Sequence, residues 1–200
     1  MTLPSAREAL NSEEKRAHVH IGKQVAAMSF EWPVRVYWED TDAGGIVFYA
    51  NYLKFFERAR TEWLRSLGLG QHALREQTGG MFVVTDAQLK YLQAARLDDM
   101  LRVTACVQEV GRASLAMLQQ AWLQLPTGTV PTEMASTSPV LLCEGRIRIG
   151  WVSADHLRPQ RMPMAVRQAL ETEHAATRRQ TAVFAPHSRS EQAHNPFPQP

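Results

Sequence analysis

Between residues 52 and 67, Tyr52, Phe55, Phe56, Ala59, Trp63 and Leu67 recur at intervals of three and four. That spacing sets them on one stripe of an α-helix. The opposite face carries Lys54, Glu57, Arg58, Arg60, Glu62 and Arg65, and reads as solvated, with an Arg58–Glu62 pair at i,i+4. Gly68 or Gly70 stops the helix, because glycine accepts a left-handed cap. A helix with one apolar stripe has to bury it, and the rest of the chain offers mainly strands to bury it against.

Those strands show as alternation. VRVYW (34–38) is a short β segment after Pro33. Four more segments follow, with no second long helix among them. Residues 81–92 alternate on Val83, Ala87, Leu89 and Tyr91, and residues 101–110 on Leu101, Val103, Ala105 and Val107. Residues 114–125 place Leu115, Met117, Ala121 and Leu123 on one face. Residues 140–152 place Leu141, Cys143, Ile147, Ile149 and Trp151 opposite Glu144, Arg146 and Arg148. One apolar and one polar face is the mark of an antiparallel sheet. Short links such as Gly111-Arg112 favour hairpins, and 126–139, with three prolines, reads as an extended loop. Pro163 sits at the start of a short closing helix over 164–175.

The order predicts an α+β domain, a curled antiparallel sheet around one long helix. Its long apolar strands argue against a bare edge, so association with a second copy is expected. The folded unit spans 32–176. Residues 1–31 read as a flexible N-terminal extension. Residues 177–200, with prolines at 186, 196, 198 and 200, read as a disordered tail.

Charge narrows the partners. Lys+Arg 22 against Asp+Glu 20 leaves +2, which gives no basic footprint for nucleic acid and no polybasic membrane patch. No apolar run approaches the ~18 residues of a membrane span, and the N-terminus is too polar for a signal peptide. Two cysteines cannot make a disulfide framework, so a reduced, cytoplasmic protein is expected.

The chemistry concentrates in Glu39-Asp40-Thr41-Asp42-Ala43-Gly44-Gly45, between strand and helix. Read as an EF-hand from Asp40, its fifth position is Gly44 and its twelfth Asn51, not a bidentate Glu. A D-x-D phosphatase loop needs alternating βα units, and none follow. Acidic residues also simply cap helix starts. The neighbours add more: Gly44 and Gly45 let a ligand approach the backbone, and Ile46, Val47, Phe48, Tyr49 and Ala50 would line an apolar slot. A carboxylate beside helix-start N–H groups suits attack on an acyl carbon whose oxygen becomes negative.

The run Arg35-Val36-Tyr37-Trp38-Glu39-Asp40-Thr41-Asp42-Ala43-Gly44-Gly45-Ile46-Val47 continues through Tyr49-Ala50-Asn51-Tyr52-Leu53 and Phe56-Glu57-Arg58-Ala59-Arg60-Thr61-Glu62. It resembles the 4-hydroxybenzoyl-CoA thioesterase group of hotdog-fold proteins, as does Ala95-Arg96-Leu97-Asp98-Asp99-Met100-Leu101. Within that group the likeness is to acyl-CoA thioesterases associated with the Tol-Pal system, and it covers about 33–165. The resemblance implies a five-stranded antiparallel sheet around the helix, and dimers or tetramers with active sites between subunits. It implies hydrolysis of a short-chain or aromatic acyl-CoA, with CoA as product and no cofactor; an acyl carrier protein could present the thioester instead. By position the catalytic carboxylate falls on Asp42, as nucleophile or general base. The thioester-polarising backbone N–H falls on Tyr49. Gly44, Gly45, Ile46 and Val47 fall in the substrate-binding stretch, and Asp40 becomes a loop-shaping partner. Many members of the subgroup carry His where Tyr49 stands, so only the backbone role carries over. The long 126–139 loop and both tails depart from the pattern and leave room for a non-catalytic acyl-CoA or acyl-carrier-binding module.

Other residues are set aside. His18-x-His20 lacks further ligands nearby, and no metal site is expected. Cys106 and Cys143 lie at strand positions, where cysteine is usually a small buried hydrophobe. Arg158 and Arg161 could meet CoA phosphates or merely be solvated.

Overall fold

The computed structural model describes residues 29–124 and 139–183. Most of the expected N-terminal extension, with His18 and His20, lies outside the described residues, as do most of the 126–139 loop and the chain beyond 183.

Strand β1 (Phe30–Arg35) begins earlier than expected and stops before Tyr37. Pro33 is therefore inside the strand, opposite Arg102, rather than ahead of it. This is tolerated because β1 is an edge strand, where a missing N–H can face away from the ladder. A 3₁₀ turn (Trp38–Asp40) then takes the place of the predicted strand end. Helix α1 (Asn51–Ser66) follows and hands over at Gly68, whose φ of +74° needs no Cβ. A short helix, α2 (Gln71–Thr78), was not anticipated; its single buried side chain, Leu74, gave no periodic signal.

The remaining strands are β2 (Gly80–Tyr91), β3 (Met100–Val110), β4 (Ser114–Leu123) and β5 (Val140–Ser153). All pairings are antiparallel, in the order β1-β3-β4-β5-β2. This is the five-stranded sheet expected. A register shift between Val84 and Asp86 corrects one detail of the alternation. Val83 pairs with Gly150 and Ala87 with Ile147, so Val83 does not share the face of Ala87, Leu89 and Tyr91.

The α1 stripe is buried as its spacing requires: Tyr52, Phe55, Phe56, Ala59 and Trp63 pack in the core with Leu101, Val103, Met117 and Ile147. The polar face differs from expectation. Arg60 is only 6% exposed. Its guanidinium donates to Gln119 Oε1 at 2.7 Å and pairs with Glu57, while Gln119 Nε2 donates to the Phe56 carbonyl at 3.0 Å. Residue 60 is four from Phe56 and three from Trp63, so helix geometry turns it inward. Burial is tolerable because every charge has a partner. Glu62 pairs with Arg65 rather than Arg58, which lies over the Phe55 ring.

The closing helix α3 (Met164–Val183) is longer than the predicted 164–175, so residues 177–183 are helical and not the start of an irregular tail. It packs along β3 through buried Val166 and Leu170, with His174 Nδ1 3.0 Å from the Val107 carbonyl. Thr177 is buried too. Among the described residues no helix is long and apolar enough to cross a membrane. If α3 belongs to the fold, Leu170→Ala will cost about 2–5 kcal/mol in urea denaturation. A change near zero would show that the helix contributes nothing to stability.

Candidate active site

Residues 41–47 form a tight hairpin-like loop closed by a bridge between Thr41 and Val47. The Asp42 N–H donates to the Ile46 carbonyl at 3.0 Å, and the Gly45 N–H to the Asp42 carbonyl at 2.9 Å. Gly45 takes a φ of +71°, which the turn demands. The Gly44 N–H donates to Asp42 Oδ1 at 2.8 Å. A Cβ at Gly44 would sit 3.0 Å from that oxygen, so a larger residue there would crowd the carboxylate. Asp42 itself is exposed.

The loop is locked to the start of α1. Asp40, 1% exposed, accepts the Tyr37 N–H on Oδ2 at 2.9 Å. Its carbonyl accepts both the Phe48 N–H and Asn51 Nδ2, each at 2.9 Å. Asp40 thus shapes the loop. From the other side, the Val47 N–H donates to the Ala95 carbonyl at 2.9 Å, and Ile46 bridges Arg96. This is the work of the ARLDD segment, whose Asp98 takes a φ of +67°. Asn51 was not picked out from the sequence; its position at the first turn of α1 was the only signal.

At the helix tip the Phe48 carbonyl accepts the Asn51 N–H at 2.8 Å. The N–H groups of Tyr49 and Ala50 find no acceptor among the described residues. Unpaired amides at the positive end of a helix dipole are suited to hold an oxyanion. The predicted residues thus fall into groups. Asp42, Gly44 and Gly45 share one exposed loop, tied through Asp40 to the segment bearing Tyr49. Ile46 is exposed beside them, but Val47 is 4% exposed. The expectation that Val47 lines a substrate slot is corrected: the 41–47 bridge turns its side chain into the core, where it anchors the loop.

Around the tip lies an exposed apolar surface of Ile46, Phe48, Tyr49, Leu53, Tyr91 and Leu92. The Phe48, Tyr49, Tyr52 and Tyr91 rings contact one another. A separate cleft of about 70 Å³ opens farther along α1, under Arg60, Trp63, Phe82 and Val84, and the Asp42 loop does not line it. Among the described residues no cluster of His, Cys, Asp or Glu is arranged to hold a metal ion. Arg158 and Arg161 are exposed.

A five-stranded antiparallel sheet around one helix, with a carboxylate loop at the helix tip, defines a class of protein, and comparison agrees. The Thioesterase superfamily profile matches residues 44–127. The chain belongs to the thioesterase superfamily of hotdog-fold proteins. It is 39% identical over 140 residues to the acyl-CoA thioesterase YbgC of Haemophilus influenzae, covering 70% of this chain and 93% of that one. It is 36% identical over 137 residues to the acyl-CoA thioester hydrolase YbgC of Escherichia coli O6:H1, covering 68% and 92%. Its fold also matches a 4-hydroxybenzoyl-CoA thioesterase variant solved with 4-hydroxybenzoyl-CoA, at TM-score 0.63 and 19% identity over 72% of this chain and 99% of that one.

Neither thiol is set up as a nucleophile. Cys106 and Cys143 are free and buried. Burial, helped by nearby Glu144, pushes the Cys143 thiol up to about 12, and burial also raises Cys106. A thiol in the unfolded chain ionises near ~8.5. The stability gained by keeping Cys143 neutral is therefore complete below that pH and lost as the pH climbs toward about 12. The urea midpoint of the wild type should fall more steeply than that of Cys143→Ala above pH 9 or so. Equal slopes would show that this thiol is not held neutral by the fold.

Proposed function

We propose that this chain hydrolyses the thioester of a short-chain or aromatic acyl-CoA to the free acid and CoA. The observation that carries the reading is the Asp42 carboxylate on a loop bonded, through Asp40 and Asn51, to a helix start with two unpaired amides. The curated relatives named as acyl-CoA thioesterases and thioester hydrolases support it.

In the chemistry we infer, the thioester carbonyl oxygen lies against the Tyr49 N–H, with the adjoining amide in reach. Asp42 either takes a proton from water, which attacks the carbonyl carbon, or attacks that carbon itself to give an anhydride that water then opens. In both routes the C–S bond breaks and CoA leaves as the thiolate, which takes its proton from the protonated Asp42 carboxyl in the first route and from solvent in the second. The Gly44 N–H holds one carboxylate oxygen and leaves the other to meet water or substrate. Helix-start amides favour the tetrahedral state because negative charge develops on oxygen only there.

The exposed apolar surface at the tip supports a site completed by a second copy of the chain, as homodimer or homotetramer. Contiguous apolar surface of this kind is unusual on a monomer. Two free buried thiols fit a reducing, cytoplasmic setting, and the role we infer beside the Tol-Pal system rests on the motif resemblance of residues 35–62 and 95–101 alone. An acyl carrier protein is the second bearer of the acyl group that we propose.

Asp42→Asn keeps the shape of the side chain and removes its basicity. It should lower kcat for thiol release at least ~100-fold on the best of a panel of acyl-CoAs, with Tm unchanged. Wild-type turnover in the variant would overturn the mechanism. Light scattering coupled to gel filtration should give a dimer or tetramer mass; a monomer that retains full activity would rule out a shared site.

A further inference from the structure

One side chain at the helix tip lies outside the machinery described so far. Tyr91, the last residue of β2, sends its hydroxyl across to donate to the Tyr49 carbonyl at 3.1 Å. Its ring stands edge-on to Tyr49, with centroids 6.2 Å apart, and lies 5.8 Å from the Tyr52 ring. Tyr91 is 46% exposed, on an outer strand. A half-exposed tyrosine is not needed there to fill the core.

We propose that Tyr91 is a positioning residue for the oxyanion-binding amides: its phenol pins and polarises the Tyr49–Ala50 peptide. This rests on the assignment of the helix tip as the thioester-binding site. The peptide is planar and trans, so fixing its oxygen toward β2 turns the Ala50 N–H to the opposite side. A hydrogen bond accepted by an amide oxygen also makes the N–H of that amide a stronger donor. The neighbouring amide is treated the same way, because the Phe48 carbonyl, which shares its peptide with the Tyr49 N–H, accepts the Asn51 N–H. Both free donors at the tip therefore belong to peptides whose oxygens are already engaged, one by the helix backbone and one by a side chain from the sheet. The second bond crosses between elements, tying the reacting end of α1 to β2. Burial, with Cys143 and Tyr49 nearby, raises the Tyr91 phenol above its ordinary range, so it stays protonated and able to donate at neutral and mildly alkaline pH.

Tyr91→Phe keeps the ring contacts and deletes only the hydroxyl, while Tyr91→Leu deletes both. Thiol release is followed on the best acyl-CoA of the panel with the full-length protein. Tyr91→Phe should lower kcat about 3- to 10-fold, with KM, Tm and the pH dependence of kcat/KM unchanged. Tyr91→Leu should be at least as slow. A packing role predicts Tyr91→Phe as fast as wild type with only Tyr91→Leu impaired, and that result would overturn the proposal. Asp42→Asn run alongside separates the two readings. If it is inactive while Tyr91→Phe is normal, only the role of Tyr91 falls. If it keeps full turnover, the site assignment falls and the Tyr91 proposal with it.

Discussion

Burial of one helical stripe against the concave side of the sheet holds the architecture in place. Phe55, Phe56 and Ala59 have no exposed surface, and Tyr52 and Trp63 have almost none. Each large apolar side chain so buried contributes on the order of 1.5–3 kcal/mol, and none can leave without exposing its neighbours. Gly145 shows how close the approach is, since a Cβ there would meet the Phe56 ring at 2.6 Å. A helix fixed so tightly has a fixed starting point. The two unpaired amides at its start inherit their position from packing several turns away.

The carboxylate loop depends on that starting point through a few bonds. The Asp40 carbonyl collects two donors from the first turn of α1, and its carboxylate holds the chain entering the loop. The acidic residue that shapes the loop is the buried one, and the acidic residue proposed to react is the exposed one. Burial suits Asp40 because backbone and side-chain donors satisfy it. Asp42 needs one oxygen free, and a small turn with glycine at its tip gives it that.

The surface around the helix tip is unusually apolar for a single chain. Aromatic and aliphatic side chains of the loop, of α1 and of the end of β2 stand exposed together. Helix α1 packs mainly on β1, β3 and β4, and it meets the far end of β2 through Tyr52, whose ring lies against Tyr91. Tyr91 stands where that exposed surface meets the two unpaired amides of the helix start.

The helix and its stripe, five strands, antiparallel pairing, the end at Gly68 and the Asp-rich loop were all legible in the sequence, because each rests on local spacing or on a residue type with one conformational habit. Other features were not, the short helix α2 among them. Arg60 reads as a surface charge until Gln119 from β4 is placed beside it. Val47 reads as slot lining until its bridge to Thr41 turns it inward. The bulge near Thr85 moves Val83 to the other face, and the α3 turns beyond 176 continue although that stretch is polar. Asn51 and Tyr91 complete the list of residues whose work is invisible along the chain. Local sequence decides which element forms and which face is apolar, since those depend on neighbours a few residues apart. Which donor meets which acceptor across 42 residues, as Tyr91 meets Tyr49, is decided only when the sheet curls around the helix and brings them within reach.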